Sequence, residues 1–169
     1  TRRKLVGKVA GVYDPVGLIT PVSAKFKLDL HDLCKLNLDW DDPVPPEYLD
    51  LWVNNMKDIQ SVGEVSFRRA IIPQDAADTN VHLIISVDAS ENLAIAAVHA
   101  RVRLRSGGFS CQLLTAKSKL VSGSTIPRAE LKGCVMGSVL GHIARNNLLD
   151  QYEGTLFVTD STICLFWIQ

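Results

Sequence analysis

Residues 81–90 read Val-His-Leu-Ile-Ile-Ser-Val-Asp-Ala-Ser, and this stretch decides the fold. The apolar run 81–87 has the length of one buried strand, and it stops at Asp88. A second apolar run, residues 156–159, also stops at an aspartate, Asp160, and small residues follow both aspartates. If the two strands are parallel neighbours, both carboxylates lie at the same edge of one sheet, where α/β proteins place their ligand sites.

The sequence between these two runs predicts the rest of the sheet. Residues 93–104 and 109–116 have strand character, and Ser106-Gly107-Gly108 supplies the turn between them. A helix then begins near Thr125, because threonine caps helices and Pro127 is tolerated in a first turn, and it extends to about residue 146. Residues from 161 onward are helical again. Three strands, a helix, a strand and a helix predict an α/β fold of the α+β type with a mixed sheet.

Glu130 adds a third carboxylate to this edge. It lies early in the predicted helix, and the residues four, seven and eleven positions later are Cys134, Gly137 and Gly141. Small residues allow close approach of a helix to a sheet, so the helix can carry Glu130 over the strand ends. Three carboxylates favour Mg²⁺ or Mn²⁺ as the bound ion.

Each acidic residue also has an ordinary interpretation. An aspartate after a strand is more often a turn residue or a helix cap than a ligand, and a glutamate in an early helical turn is usually solvated. It is the order of strand-end Asp, helical Glu and strand-end Asp that favours a metal site.

Basic residues near this edge are candidates for binding nucleic acid. Lys117 and Lys119 alternate on one strand, and Arg128 lies close to Glu130, so all three could contact phosphates; solvated surface charge is an equally good interpretation. Ser90 and Ser161, which follow the two aspartates, complete the predicted nucleic-acid-binding set.

Residues 1–62 form a separate, mainly helical segment. Apolar spacing predicts helices over residues 21–38 and 46–59, divided by a proline cluster at residues 43–46. The second helix is expected to point Leu49, Trp52, Val53 and Met56 inward. Trp40 and Trp52 are expected to be packing anchors. Residues 65–72 are expected to be a strand of the second segment, residues 63–169.

Composition limits the function classes. The 169 residues are 47% hydrophobic, and 18 basic residues balance 18 acidic ones, so nucleic-acid binding must be local. The four cysteines have no zinc-ligand spacing, which favours a reducing intracellular setting. No apolar run is long enough to cross a membrane. The first and last residues indicate a piece of a longer protein.

Four motifs carry a family resemblance: Val87-Asp-Ala-Ser90, Ala116-Lys-Ser-Lys-Leu120, Thr125-Ile-Pro-Arg-Ala-Glu-Leu131 and Val158-Thr-Asp-Ser161. They resemble the ribonuclease H region of BEL/Pao-type LTR retrotransposon polyproteins. Upstream, residues 11–21 and 38–43 resemble the stretch between reverse transcriptase and ribonuclease H in that group. The resemblance implies a reverse transcriptase thumb or connection segment over residues 1–62, and a ribonuclease H-like domain, incomplete at its C-terminus, over residues 63–169.

The resemblance also implies an activity, which is metal-dependent cleavage of the RNA strand of RNA/DNA hybrids during reverse transcription. Asp88, Glu130 and Asp160 would be both the catalytic residues and the ligands of Mg²⁺, with Mn²⁺ as an alternative. The implied partners are the hybrid and the remaining polyprotein domains, namely reverse transcriptase, protease and integrase. The implied location is cytoplasmic, in a virus-like particle, or nuclear, without a membrane.

Two features favour an alternative function. Ribonuclease H domains continue to a fourth acidic ligand, which this chain lacks, and the net charge is zero. A non-catalytic scaffold, or a nucleic-acid-binding remnant of a domesticated or degenerate element, therefore stays open. An actin-like ATPase is a distant third hypothesis, because no glycine-rich phosphate loop precedes a helix.

Overall fold

The computed structural model describes residues 1–68 and 70–168, which divide into two compact units, Thr1–Ser66 and Phe67–Gln169. The boundary predicted from the sequence, between residues 62 and 63, lies a few residues earlier. The assignment of the first segment to a polymerase connection stays a prediction. Among the described residues, no helix has the length and apolar character needed to cross a bilayer.

The first unit is helical. It contains α1 (Arg2–Ala10), α2 (Thr20–Cys34) and α3 (Pro46–Val62). The helices predicted over residues 21–38 and 46–59 are confirmed as α2 and α3, although α2 ends earlier. Helix α1 was not predicted from the sequence; it is short, and its apolar residues Leu5, Val6 and Val9 are only half-buried.

The inward face of α3 differs from the predicted one. Trp52 is buried and packs edge-on against Phe26, with ring centroids 5.0 Å apart. Leu49 and Val53, which were expected to point inward, are 41% and 55% exposed. Asn55, one turn after Trp52, is buried instead and donates a hydrogen bond to Asp29. Partial burial raises the pKa of Asp29, and this hydrogen bond opposes the rise.

Trp40 was expected to be a packing anchor, but it is 49% exposed. The guanidinium of Arg2 lies 4.6 Å from the centre of its ring, and Arg3 donates two hydrogen bonds to the neighbouring Asp41. That pairing lowers the pKa of Asp41. Trp40 therefore anchors cations at a surface turn.

The second unit is a four-stranded sheet with helices. It contains β1 (Val81–Ala89), β2 (Leu93–Arg103), β3 (Phe109–Leu120), α4 (Ile126–Leu148), a short 3-10 turn (Leu149–Gln151), β4 (Tyr152–Val158) and α5 (Thr162–Ile168). The strand order is β3-β2-β1-β4. β2 is antiparallel to both β1 and β3, and β4 is parallel to β1. The mixed sheet predicted from the sequence is confirmed.

Two local predictions for this unit were wrong. Residues 65–68 and 70–72 are not a strand, and Arg69 lies outside the described residues. β1 does not stop before Asp88, because Asp88 pairs with Ile95 of β2 and the strand continues through Ala89. The alternation of polar and apolar residues continues through Ser86, Val87, Asp88 and Ala89, so the end of the apolar run at Val87 underestimates the length of the strand.

One face of the sheet is sealed by α4. Alternate residues of β1 are buried, and Gly137 of α4 lies so close that a Cβ there would be 2.6 Å from Cγ1 of Val87. Gly133, one turn earlier, lies over the end of the same strand, where a Cβ would be 3.6 Å from the carbonyl oxygen of Asp88. The expectation that small residues bring this helix onto the sheet is confirmed.

Candidate active site

The parallel pairing of β1 and β4 places two of the predicted ligands at one level. The last paired residues are Ser86 and Val158, and Asp88 and Asp160 each lie two positions beyond that pair. Both aspartates are exposed. Because parallel strands run in register, the two carboxylates emerge from neighbouring strand ends at the same edge of the sheet.

Glu130 reaches the same edge from α4. Its Oε2 accepts a hydrogen bond from the hydroxyl of Ser161, the residue after Asp160. Three residues further along α4, Gly133 lies against the backbone of Asp88. Glu130 is therefore positioned near the ends of both β4 and β1, as the sequence predicts.

The three carboxylates do not form a preassembled ion cage. Among residues 1–68 and 70–168, no three His, Cys, Asp or Glu side chains are grouped closely enough to hold a metal ion. Oδ1 of Asp88 accepts from the backbone N–H of Ala89 at 2.7 Å, and Glu130 is turned toward Ser161. The donor set consists of carboxylate oxygens alone, which suits Mg²⁺ or Mn²⁺. Ser161 holds Glu130 at the end of β4, and the side chain of Asp88, bonded to the Ala89 N–H, would have to rotate for the three to share an ion.

Two buried thiols lie beneath this edge. Cys134 is one turn after Glu130, Cys164 is three residues after Ser161, and both are free. Burial raises the pKa of Cys134 to about 11, and the neighbouring Cys164 adds to the rise. The Cys134 thiol is therefore protonated at neutral pH, and the two buried side chains support packing between α4 and α5.

A groove lined partly by basic side chains lies between β3 and α4. It has a volume of about 540 Å³ and contains three predicted nucleic-acid-binding residues, Lys117, Lys119 and Arg128. Lys132 lines it as well, as do the apolar residues Leu131, Val135, Met136, Val139, Leu140 and Ile143. The structure thus brings together basic residues from two elements.

A scan against protein-family models matches residues 1–161 to the model described as Pao retrotransposon-like RNaseH-like domain. The chain belongs to this family. The ribonuclease H-like fold predicted from the sequence is confirmed by this match and by the mixed sheet. A comparison with curated proteins finds no match.

Among solved structures, the Pao RNaseH-like domain is similar to a chain titled "Structure of the foamy viral protease-reverse transcriptase dRH in complex with ds DNA". The identity is 12% and the TM-score is 0.39 over 97% of the present chain. The present chain spans 29% of the length of that chain.

The remaining predicted residues of the Pao RNaseH-like domain lie apart from the groove. Ser90 forms the turn between β1 and β2, where its N–H donates to the Leu93 carbonyl at 2.7 Å. Ser161 is 5% exposed and donates to Glu130. Sequence reasoning missed Lys132, although its position four residues after Arg128 places both on one helical face.

Proposed function

We propose that this domain hydrolyses the RNA strand of RNA/DNA hybrids during reverse transcription, with divalent ions held by Asp88, Glu130 and Asp160. The observation that carries the proposal is the register of the parallel pair β1 and β4, which brings Asp88 and Asp160 to the same level. The position of Glu130 next to Ser161, at the end of β4, supports it.

Each carboxylate would have a distinct role. Asp88, on the interior strand β1, would be a ligand of both ions, and Glu130 and Asp160 would complete the set of ligands. Bound magnesium or manganese would supply Lewis-acid chemistry, namely activation of a water and stabilisation of the departing oxygen. The exposure of Asp88 and Asp160 leaves this edge open to a nucleic-acid substrate.

The basic part of the groove would bind the sugar-phosphate backbone of the hybrid. Lys117 and Lys119 are exposed on β3, and Arg128 is exposed two residues before Glu130 on α4. Cations on two neighbouring elements can follow a phosphate backbone and fix its register. The net charge of zero is compatible with this binding because the cations are concentrated at one place.

Membership of the family supports a polyprotein context. We propose that the domain acts together with the reverse transcriptase, protease and integrase of a retrotransposon polyprotein. Its location would be the cytoplasm, within a virus-like particle, or the nucleus.

The test is cleavage of a labelled RNA/DNA hybrid by the chain in the presence of Mg²⁺ or Mn²⁺. Asp88→Asn should reduce cleavage on the order of a thousandfold, because loss of a metal ligand removes several kcal/mol of transition-state stabilisation. The matched control is Asp150→Asn, which removes an exposed carboxylate at the opposite end of β4 and should leave the rate unchanged.

A second candidate function is non-catalytic binding of hybrids, as in a domesticated or degenerate element. The absence of a preassembled group of three metal-binding side chains in the described residues favours it. The two functions differ in one result: a wild-type chain that binds the hybrid but leaves it uncut with either ion contradicts catalysis and supports the binding module.

A further inference from the structure

Ser161 is one of four buried polar residues among those that the structure describes, with 5% of its surface exposed. It lies in the short connection between β4 and α5, directly after Asp160. Its backbone N–H donates to the hydroxyl of Thr159 at 3.2 Å. The Ser161 side chain has its own partners, one on α5 and one on α4.

The hydroxyl of Ser161 both accepts and donates a hydrogen bond. It accepts from the backbone N–H of Cys164 at 3.2 Å, in the manner of a helix cap, and it donates to Oε2 of Glu130. A hydroxyl has one proton, and the Cys164 N–H already supplies the proton of the other bond, so the hydroxyl proton is directed to Glu130. The start of α5 and the carboxylate of Glu130 are thus joined through one oxygen atom.

This bond restricts a side chain that would otherwise rotate freely. Glu130 is in the first turns of α4, and its carboxylate lies at the end of three rotatable bonds. The bond engages one lone pair of Oε2, and the carboxylate keeps acceptor sites that could bind an ion. Because Ser161 is adjacent to Asp160, the short segment between β4 and α5 both carries Asp160 and bonds to Glu130, two of the proposed ligands.

We infer that Ser161 is a positioning residue that holds Glu130 toward the ends of β1 and β4. The inference rests on the proposed function, since Glu130 is taken to be a metal ligand. This role differs from the nucleic-acid contact that the sequence predicted for Ser161. The burial of Ser161 favours the positioning role, because a buried hydroxyl is not accessible to a nucleic acid. Hydrogen-bond partners of metal ligands commonly change metal affinity by about 10-fold to 100-fold.

The experiment measures Mn²⁺ affinity of the chain by electron paramagnetic resonance, without substrate. Ser161→Ala should weaken binding by about 10-fold to 100-fold. Ser161→Thr, which keeps the hydroxyl, should restore most of the affinity. The control is Thr162→Val, which removes the neighbouring exposed hydroxyl and should leave affinity unchanged. Thermal unfolding identifies any variant that fails to fold.

A double variant separates positioning from a general loss of structure. If Ser161 acts through Glu130, Ser161→Ala should have no further effect on Mn²⁺ affinity in a Glu130→Ala background. Equal losses in both backgrounds, or a folded Ser161→Ala chain with wild-type affinity, would overturn the inference and leave the proposed function standing. A wild-type chain that binds no Mn²⁺ would overturn the proposed metal-dependent function and the positioning role together.

Discussion

If the proposed function is correct, single side chains decide where a nucleic acid would bind this protein. The four cations of the groove, Lys117, Lys119, Arg128 and Lys132, come from β3 and α4. The alternation of Lys117 and Lys119 places them on the same side of β3, with the buried Ser118 between them. Lys132 also donates a hydrogen bond to Ser124, which holds it beside the groove.

Replacing Lys117 and Lys119 by glutamine should therefore make hybrid binding less sensitive to salt. Each phosphate contact to a duplex contributes about 0.9 to the slope of log affinity against log salt, so the double variant should lose about 2. Binding is measured by fluorescence anisotropy at several salt concentrations in an Asp88→Asn background. Arg103→Gln, which removes an exposed cation on β2, is the control. An unchanged slope in the double lysine variant would exclude this groove as the binding surface.

Among the elements, α4 is the one whose placement determines the site. Its glycines allow the helix backbone to lie directly on β1, and this contact carries Glu130 to the strand ends. A larger residue would separate the helix from the sheet and move the carboxylate with it. The glycines, which have no side chain, are therefore as important for the position of the site as Glu130 itself.

Gly137→Ala should lower the free energy of unfolding by up to about 2 kcal/mol. A Cβ there would meet Val87 at 2.6 Å and Ile85 at 3.0 Å, and overpacking of about 1–3 kcal/mol exceeds the helix-propensity gain of about 1 kcal/mol. Chemical denaturation measures the change. Ser138→Ala, on the exposed side of the same helix, should stay within about 0.5 kcal/mol. A stabilised Gly137→Ala chain would show that the helix is not in close contact.

At the level of the whole molecule, periodicity in the sequence predicts the elements that bury a continuous face. β1, β2, β3 and α4 follow from it because each places apolar or small residues on one side. β4 was predicted only in part, over residues 156–159, because it contains no buried residue, and it begins four residues earlier at Tyr152. Periodicity did not predict α1, whose apolar residues are only half-buried, and it fails for the exposed Leu49 and Val53 of α3, where the buried Asn55 takes the inward position. A polar residue that is buried by pairing with Asp29 gives no apolar signal.

The candidate site is predictable only in part, for a similar reason. The order of Asp88, Glu130 and Asp160 along the chain indicates which edge they share, because strand ends and helix starts are local features. The bond from Ser161 to Glu130 joins residues on different elements, and no spacing rule anticipates it. Side-chain rotation also decides whether the three carboxylates meet, and sequence patterns contain no information about it.

The crossover that joins β1 to β4 has a consequence for folding kinetics. β1, β2 and β3 pair through short hairpins. β4 pairs with β1 only across a long segment of chain, since β2, β3 and α4 lie between Val81 and Tyr152 in the sequence. Closing such a long loop costs entropy before any contact compensates for it, so β4 should join the sheet last. In pulse-labelling hydrogen exchange, β4 amides should gain protection after those of β3, the other edge strand; simultaneous protection would contradict this order. The edge that carries Asp88 and Asp160 would then be the final part of the sheet to assemble.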